Sequence, residues 1–138
     1  MAHLIDTSVL VTLQRRRLRL SHLAAALPDP SEDVALAPFT VSELLVGVHR
    51  APVGPNKQRM EAFLEAILEA VPVLPFGLRE ARAYGLLWAQ LLSQGQPIGP
   101  IDALIGATAL AQGYGVLTEN LDHFRRIPGL AVTAPQWP

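Results

Sequence analysis

Cysteine is absent from the 138 residues. That excludes disulfides and thiolate metal sites, so any metal must be held by oxygen or histidine. Charge is scarce as well: 17% of residues are charged against 50% hydrophobic, so either the core is large or a sizeable apolar face meets a partner, a subunit interface being the first expectation. Long apolar runs are missing. "SQGQP" at 93–97 breaks the longest uncharged stretch, and no segment offers the roughly 18 consecutive apolar residues of a membrane span. The opening "MAHLIDTSVLVTLQRRR" places an acid inside its apolar part and the basic residues after it, the reverse of a secretory signal. Together these features lead to the expectation of a soluble cytoplasmic protein. There is no strong charge imbalance either. A net charge of −1 gives no general attraction to polyanions, although Arg15, Arg16, Arg17 and Arg19 cluster in one segment and Arg125 with Arg126 in another. Such clusters are either solvated faces or phosphate-binding patches.

What is present reads as one domain over 1–138, without repeat, linker or low-complexity tract. Short apolar runs alternate with helical patterns, the signature of β-α units and a parallel sheet. Five strands are expected, at 3–5, 34–37, 71–74, 115–118 and 130–133. The clearest helix is "NKQRMEAFLEAILEAV", where Met60, Phe63, Leu64, Ile67, Leu68 and Val71 form one face and Glu61, Glu65 and Glu69 the wet one. A second helix over 78–93 stripes Ala81, Tyr84, Gly85, Trp88, Leu91 and Leu92, with Leu86 and Leu87 as an apolar surplus that suits a dimer contact. A third over 100–112 is apolar all round and belongs deep in the fold or against another subunit.

Asp102 interrupts that third helix, and it is the only formally charged side chain between Arg82 and Glu119. Burying a lone carboxylate is costly unless something pairs with it or neutralises it. Three other polar positions share its placement just after a strand or at a helix start. Asp6 ends the first strand in "HLIDTSVL", Glu43 follows the second in "APFTVSELLVG", and Asn120 follows the fourth in "GVLTENLDHF", with Asp122 two residues on. All four fall at the strand ends where sites in open α/β sheets form. Each also has a local structural explanation. Asp6 and Asn120 suit helix N-caps, Glu43 suits a capping box with Thr40, and Asp102 suits the dipole of a first turn. If the side chains converge, however, three carboxylates repel strongly and a divalent cation is the ordinary remedy. Oxygen donors without cysteine or a spaced histidine pair favour Mg²⁺ or Mn²⁺, ions suited to activating water for in-line attack on phosphorus. His3, His22, His49 and His123 show no mutual spacing that suggests a site and are taken as structural.

Two other α/β chemistries do not fit. A Rossmann dinucleotide site needs a Gly-rich turn after the first strand, and "DTSVL" has none. A dehalogenase-type phosphotransferase wants a second Asp two residues after the first, where this chain has Ser8.

"LIDTSVLV", "TVSELLVGV", "PIDALIGATAL" and "GVLTENLDHFRRIPGLAV", in that order across nearly the whole chain, together resemble the PIN-domain ribonucleases, specifically VapC-type toxins of bacterial toxin–antitoxin pairs. The resemblance implies a three-layer α/β/α domain with a five-stranded parallel sheet in the order 3-2-1-4-5, cleaving RNA at an acidic Mg²⁺ or Mn²⁺ site. Asp6, Glu43 and Asp102 match the family's acids and would hold the metal. Asn120 matches a fourth position that is often Asp; an amide is a weaker ligand there, which favours one ion over two. Thr7, Ser8 and Thr118 are supporting residues that could orient the acids, and Asp122 could supply a nearby carboxylate. Arg15, Arg16, Arg17, Arg19, Arg125 and Arg126 are candidates for RNA backbone contacts. The family also implies a homodimer and a VapB-like antitoxin whose C-terminal segment wraps the domain and blocks the site. The rival is a non-catalytic PIN-like module that binds RNA or protein, its acids serving only as caps.

Overall fold

Alternation with a period of two is visible in each central strand. In the computed structural model, which describes residues 1–138, β1 (His3–Ile5) sends Leu4 to one face of the sheet and Ile5 to the other. Val116 and Leu117 of β3 (Gly115–Leu117) divide in the same way, as do Ala35 of β2 (Val34–Ala35) and Leu36 just beyond it. Strands buried on both faces need cover on both sides. Helices α1 (Thr7–Arg15), α2 (Ser21–Ala25), α3 (Pro38–Arg50) and α4 (Pro55–Ala70) cover one face, and α5 (Leu78–Ser93), α6 (Pro100–Gln112) and α7 (Leu121–Phe124) the other. The result is the expected three-layer α/β/α architecture.

The sheet has four strands rather than five, all parallel, in the order β2-β1-β3-β4, with β4 (Val132–Thr133) at the edge. The segment at 71–74 lies where a third strand was expected, but it makes a single parallel bridge, Leu36 to Val73. Leu36 donates to the Pro72 carbonyl at 2.9 Å and Leu74 donates to the Leu36 carbonyl at 2.8 Å. Pro72 and Pro75 have no N–H to extend that ladder, so the position in the order is kept and the strand is not.

The long helices fall where periodicity places them, within one residue at each end. The orientation of α5 differs from expectation. Glu80, Leu87 and Leu91 are buried, whereas Ala81, Gly85, Leu86 and Leu92 are exposed. Glu80 turns inward to accept from the Gly77 N–H at 2.9 Å and from the Gln112 amide, and this rotation carries Leu92 out to solvent and Leu87 into the core.

Helix α6 is the buried helix of the fold. Ala103, Ile105, Gly106, Ala107, Thr108 and Ala109 are all buried. Its close packing depends on Gly106, where a Cβ would fall 2.4 Å from Cδ1 of Ile127. The helix ends on Gly113 in the left-handed conformation (φ 73°). Buried along its length, α6 is a rigid mount for the acid in its first turn.

Candidate active site

Register assembles the centre of the site. Ile5 pairs with Leu117, so the next residues along the two parallel strands, Asp6 and Thr118, leave the carboxyl edge of the sheet side by side. Asp6 is 3% exposed. Its Oδ2 accepts from Thr118 Oγ1 at 2.8 Å and from Ser8 Oγ at 2.7 Å. Although Asp6 precedes α1, its side chain makes no capping bond. Asn120 likewise precedes α7 without capping it, and Thr40 cannot open a capping box because α3 already starts at Pro38. Three of the four local explanations for these polar residues therefore fall away. Only the dipole contact of Asp102, in the first turn of α6, persists.

Asp102, Glu43 and Asn120 join Asp6 on the walls of a crevice of about 360 Å³. Asp102 Oδ2 accepts from the Asn120 amide at 3.1 Å and lies 3.2 Å from His123 Nδ1. The same amide nitrogen is 2.8 Å from that imidazole nitrogen. Asn120 is itself fixed through its backbone N–H, which donates to Thr118 Oγ1 at 2.9 Å. Glu43 is exposed at the rim, where its Oε1 accepts from Thr7 Oγ1 at 2.6 Å. In each of the three acids, protein hydrogen bonds reach one carboxylate oxygen and leave the other without a partner. Desolvation pushes the Asp102 carboxyl above its ordinary value of 3.8; hydrogen bonding from His123 works against the rise, and the negative charge of Asp6 adds to it. A carboxylate held in that state favours either a proton or a cation. No three Asp, Glu or His side chains converge at ligand distance of one point, so the crevice is an open acidic cleft rather than a closed cage.

The supporting residues divide. Thr7, Ser8 and Thr118 all hold acids in place. Asp122 is exposed and lies outside the crevice, because the one-turn helix α7 turns it away. His123, taken as structural from its spacing, is instead a neighbour of Asp102 and Asn120. The available signal was its position three residues after Asn120 across a helical turn. Glu119 and Thr12 also line the crevice, unremarked in the sequence.

The arginines do not form one face. Arg15 is the only basic side chain lining the crevice. Arg16 lies over the Trp137 ring, 5.8 Å from its centroid. Arg17, with a positive φ of 52°, opens onto an adjoining groove of about 680 Å³ that shares Thr7, Val11, Arg15 and Glu43 with the crevice. Arg19 is exposed beside α2, where its backbone N–H donates to His22. Arg126 donates to the Pro97 carbonyl at 2.7 Å, and Arg125 is exposed.

A parallel sheet covered on both faces, with acids at the carboxyl edge, agrees with the PIN fold, and the PIN domain family matches residues 3–130. The chain is 35% identical to Ribonuclease VapC1 of Rickettsia felis, over 96% of this chain and 95% of that protein. It is also 31% identical to a tRNA(fMet)-specific endonuclease VapC of Salmonella typhimurium, over 72% of this chain and 73% of that one. Among solved structures, VapBC-1 from nontypeable Haemophilus influenzae superposes with a TM-score of 0.81 at 26% identity, covering 97% of this chain and 98% of that one. The chain belongs to the VapC group of PIN-domain proteins.

Proposed function

We propose that the chain is a metal-dependent endoribonuclease and the toxin of a toxin–antitoxin pair. The observation that carries this is the set of three acids, Asp6, Glu43 and Asp102, each positioned through one oxygen and each with the other free. The donor set suits Mg²⁺ or Mn²⁺: all oxygen, partly desolvated and mutually repelling. The open spacing is no obstacle, since Mg²⁺ retains several waters and is usually held by one or two carboxylates. When bound, the ion supplies Lewis-acid stabilisation of the charge that develops at phosphorus and eases deprotonation of the attacking water. The chain's own residues do the rest. Ser8 and Thr118 hold Asp6, Asn120 and His123 hold Asp102, and Thr7 holds Glu43. Arg15, at the crevice wall, is placed to pair with a backbone phosphate.

The relatives named above, a ribonuclease and a tRNA endonuclease, support RNA as the substrate, and an RNA substrate in turn supports a cytoplasmic activity. No helix is long and apolar enough to cross a membrane. A VapB-like antitoxin is the proposed partner. The groove beside the crevice, floored by Val11, Leu18, Leu44, Met60 and Phe63 and edged by Arg15, Arg17 and Arg59, suits an apolar segment bearing acidic residues, and an occupant of it can reach Glu43 and close the site. The exposed Leu78, Leu86 and Leu92 of α5 support a homodimer. Purified, antitoxin-free protein is expected to cleave RNA in Mg²⁺ or Mn²⁺ and to stop in chelator or as Asp6→Ala. Undiminished cleavage by Asp6→Ala would remove the site, and folded wild-type protein without cleavage would leave a non-catalytic binding module.

A further inference from the structure

Glu119 stands apart from the other acids of the crevice because neither of its oxygens is free. Oε1 accepts from Trp137 Nε1 at 2.7 Å and Oε2 accepts from Thr12 Oγ1 at 2.5 Å. Its backbone N–H donates to Ser8 Oγ at 3.1 Å, the same hydroxyl that donates to Asp6. Trp137 is the penultimate residue, and the tail that carries it is anchored. Gln136 N–H donates to the Ala26 carbonyl at 2.8 Å, the Arg16 guanidinium covers the indole, and the ring packs against the core beneath α1–α4. Beside Glu119 stands Asn120, an amide where a further carboxylate would have raised the negative charge of the crevice.

We propose that the C-terminal tail is a working part of this site: Trp137, together with Thr12, latches the Glu119 carboxylate against α1 and keeps it from acting as an additional carboxylate ligand. The tail thereby sets how tightly the crevice holds a divalent cation. This rests on the metal-dependent nuclease reading of the site. Trp137 and Thr12 are positioning residues, acting through Glu119. Because the backbone of Glu119 is held separately through Ser8 and Thr12 still holds Oε2, loss of the indole donor frees Oε1 without displacing the rest of the residue, and charge count is a main determinant of affinity for hard cations.

The test is Mn²⁺ binding by the full chain, purified without antitoxin and followed by the electron paramagnetic resonance of free Mn²⁺, with melting temperature as the folding control. Trp137→Phe keeps the ring and loses the N–H. It is expected to bind Mn²⁺ about tenfold more tightly than wild type, and Trp137→Phe combined with Glu119→Gln is expected to return to the wild-type value. Glu119→Gln alone is expected to stay close to wild type. Thr12→Val, which removes the other bond, carries the same expectation should the Trp137 variant unfold. Wild-type affinity in both latch variants overturns the proposal, and so does a Glu119→Gln protein as weak as Asp6→Asn, since Glu119 would then already be a ligand. If wild type cleaves RNA and binds Mn²⁺ while the latch variants match it, the latch alone falls. If wild type neither binds nor cleaves, the latch and the nuclease reading fall together.

Discussion

Two acids sit in the first turns of two helices packed against each other, and they are treated in opposite ways. Glu80 at the start of α5 is buried, with both oxygens occupied: Oε2 accepts from the Gly77 N–H and Oε1 from the Gln112 amide at the far end of α6. These bonds hold its carboxyl below the ordinary value of 4.5. Asp102 at the start of α6 has one oxygen bonded and one without a protein partner, and burial pushes its carboxyl up. Glu80 is a fastener whose ionised form the fold stabilises. Asp102 is an acid whose ionised form the fold makes costly, while α6 holds it rigidly in place. The difference gives a criterion for separating structural from functional carboxylates that helix position alone does not supply.

The sharpest way to break the comparison is to remove each charge in turn. Asp102→Asn is expected to lower RNA cleavage at least about a hundredfold, more than the loss of a residue that only orients a ligand, while the melting temperature without metal stays level or rises. Cleavage rates and thermal unfolding on one preparation check both halves. A fall in stability with cleavage intact in the folded fraction would make Asp102 another Glu80. Glu80→Gln is expected to behave in the reverse sense. It keeps the shape and one acceptor but loses the charge-assisted bonds to Gly77 and Gln112, so the melting temperature falls by several degrees while the folded protein cleaves at the wild-type rate. A large loss of cleavage at a temperature where the variant remains folded would show that the two helix starts are not functionally distinct.

The sequence anticipated these two acids unequally, for a physical reason. Asp102 was legible because it is the sole charge in an apolar helix opened by Gly99 and Pro100, and burial of such a residue demands an explanation. Asp6 and Glu43 were legible because acids after parallel strands gather at one edge of the sheet. Glu80 was not, since its partner Gln112 lies 32 positions away and periodicity reports which residues can be buried rather than what they bond to. The same blindness misplaced the face of α5 and kept an expected strand at 71–74, where Pro72 and Pro75 leave room for one bridge. His123 was not legible because no other histidine stands at metal-ligand spacing from it, whereas its partners in the fold are an acid and an amide.

The smallest expected effect is the one that distinguishes the two acids most cleanly, namely the dependence of stability on pH. For Glu80 the folded value lies below the unfolded value, so its contribution is fully present above 4.5 and is lost as pH falls through the lower folded value. The deficit of Glu80→Gln should therefore be largest near neutrality and close on acidification. For Asp102 the folded value lies above 3.8, so the ionised carboxyl destabilises the fold at neutral pH, and that penalty disappears once pH falls below 3.8. The advantage of Asp102→Asn should also close in acid, but from the opposite side of the wild-type curve. Denaturant unfolding of the three proteins between about pH 3 and 7 reads both gaps. Mg²⁺ then separates the causes. It stabilises whichever folded protein binds it, so at neutral pH it should erase or reverse the advantage of Asp102→Asn and leave the deficit of Glu80→Gln unchanged. If Mg²⁺ leaves the Asp102 gap untouched, the raised carboxyl is a consequence of burial alone and its free oxygen holds no ion.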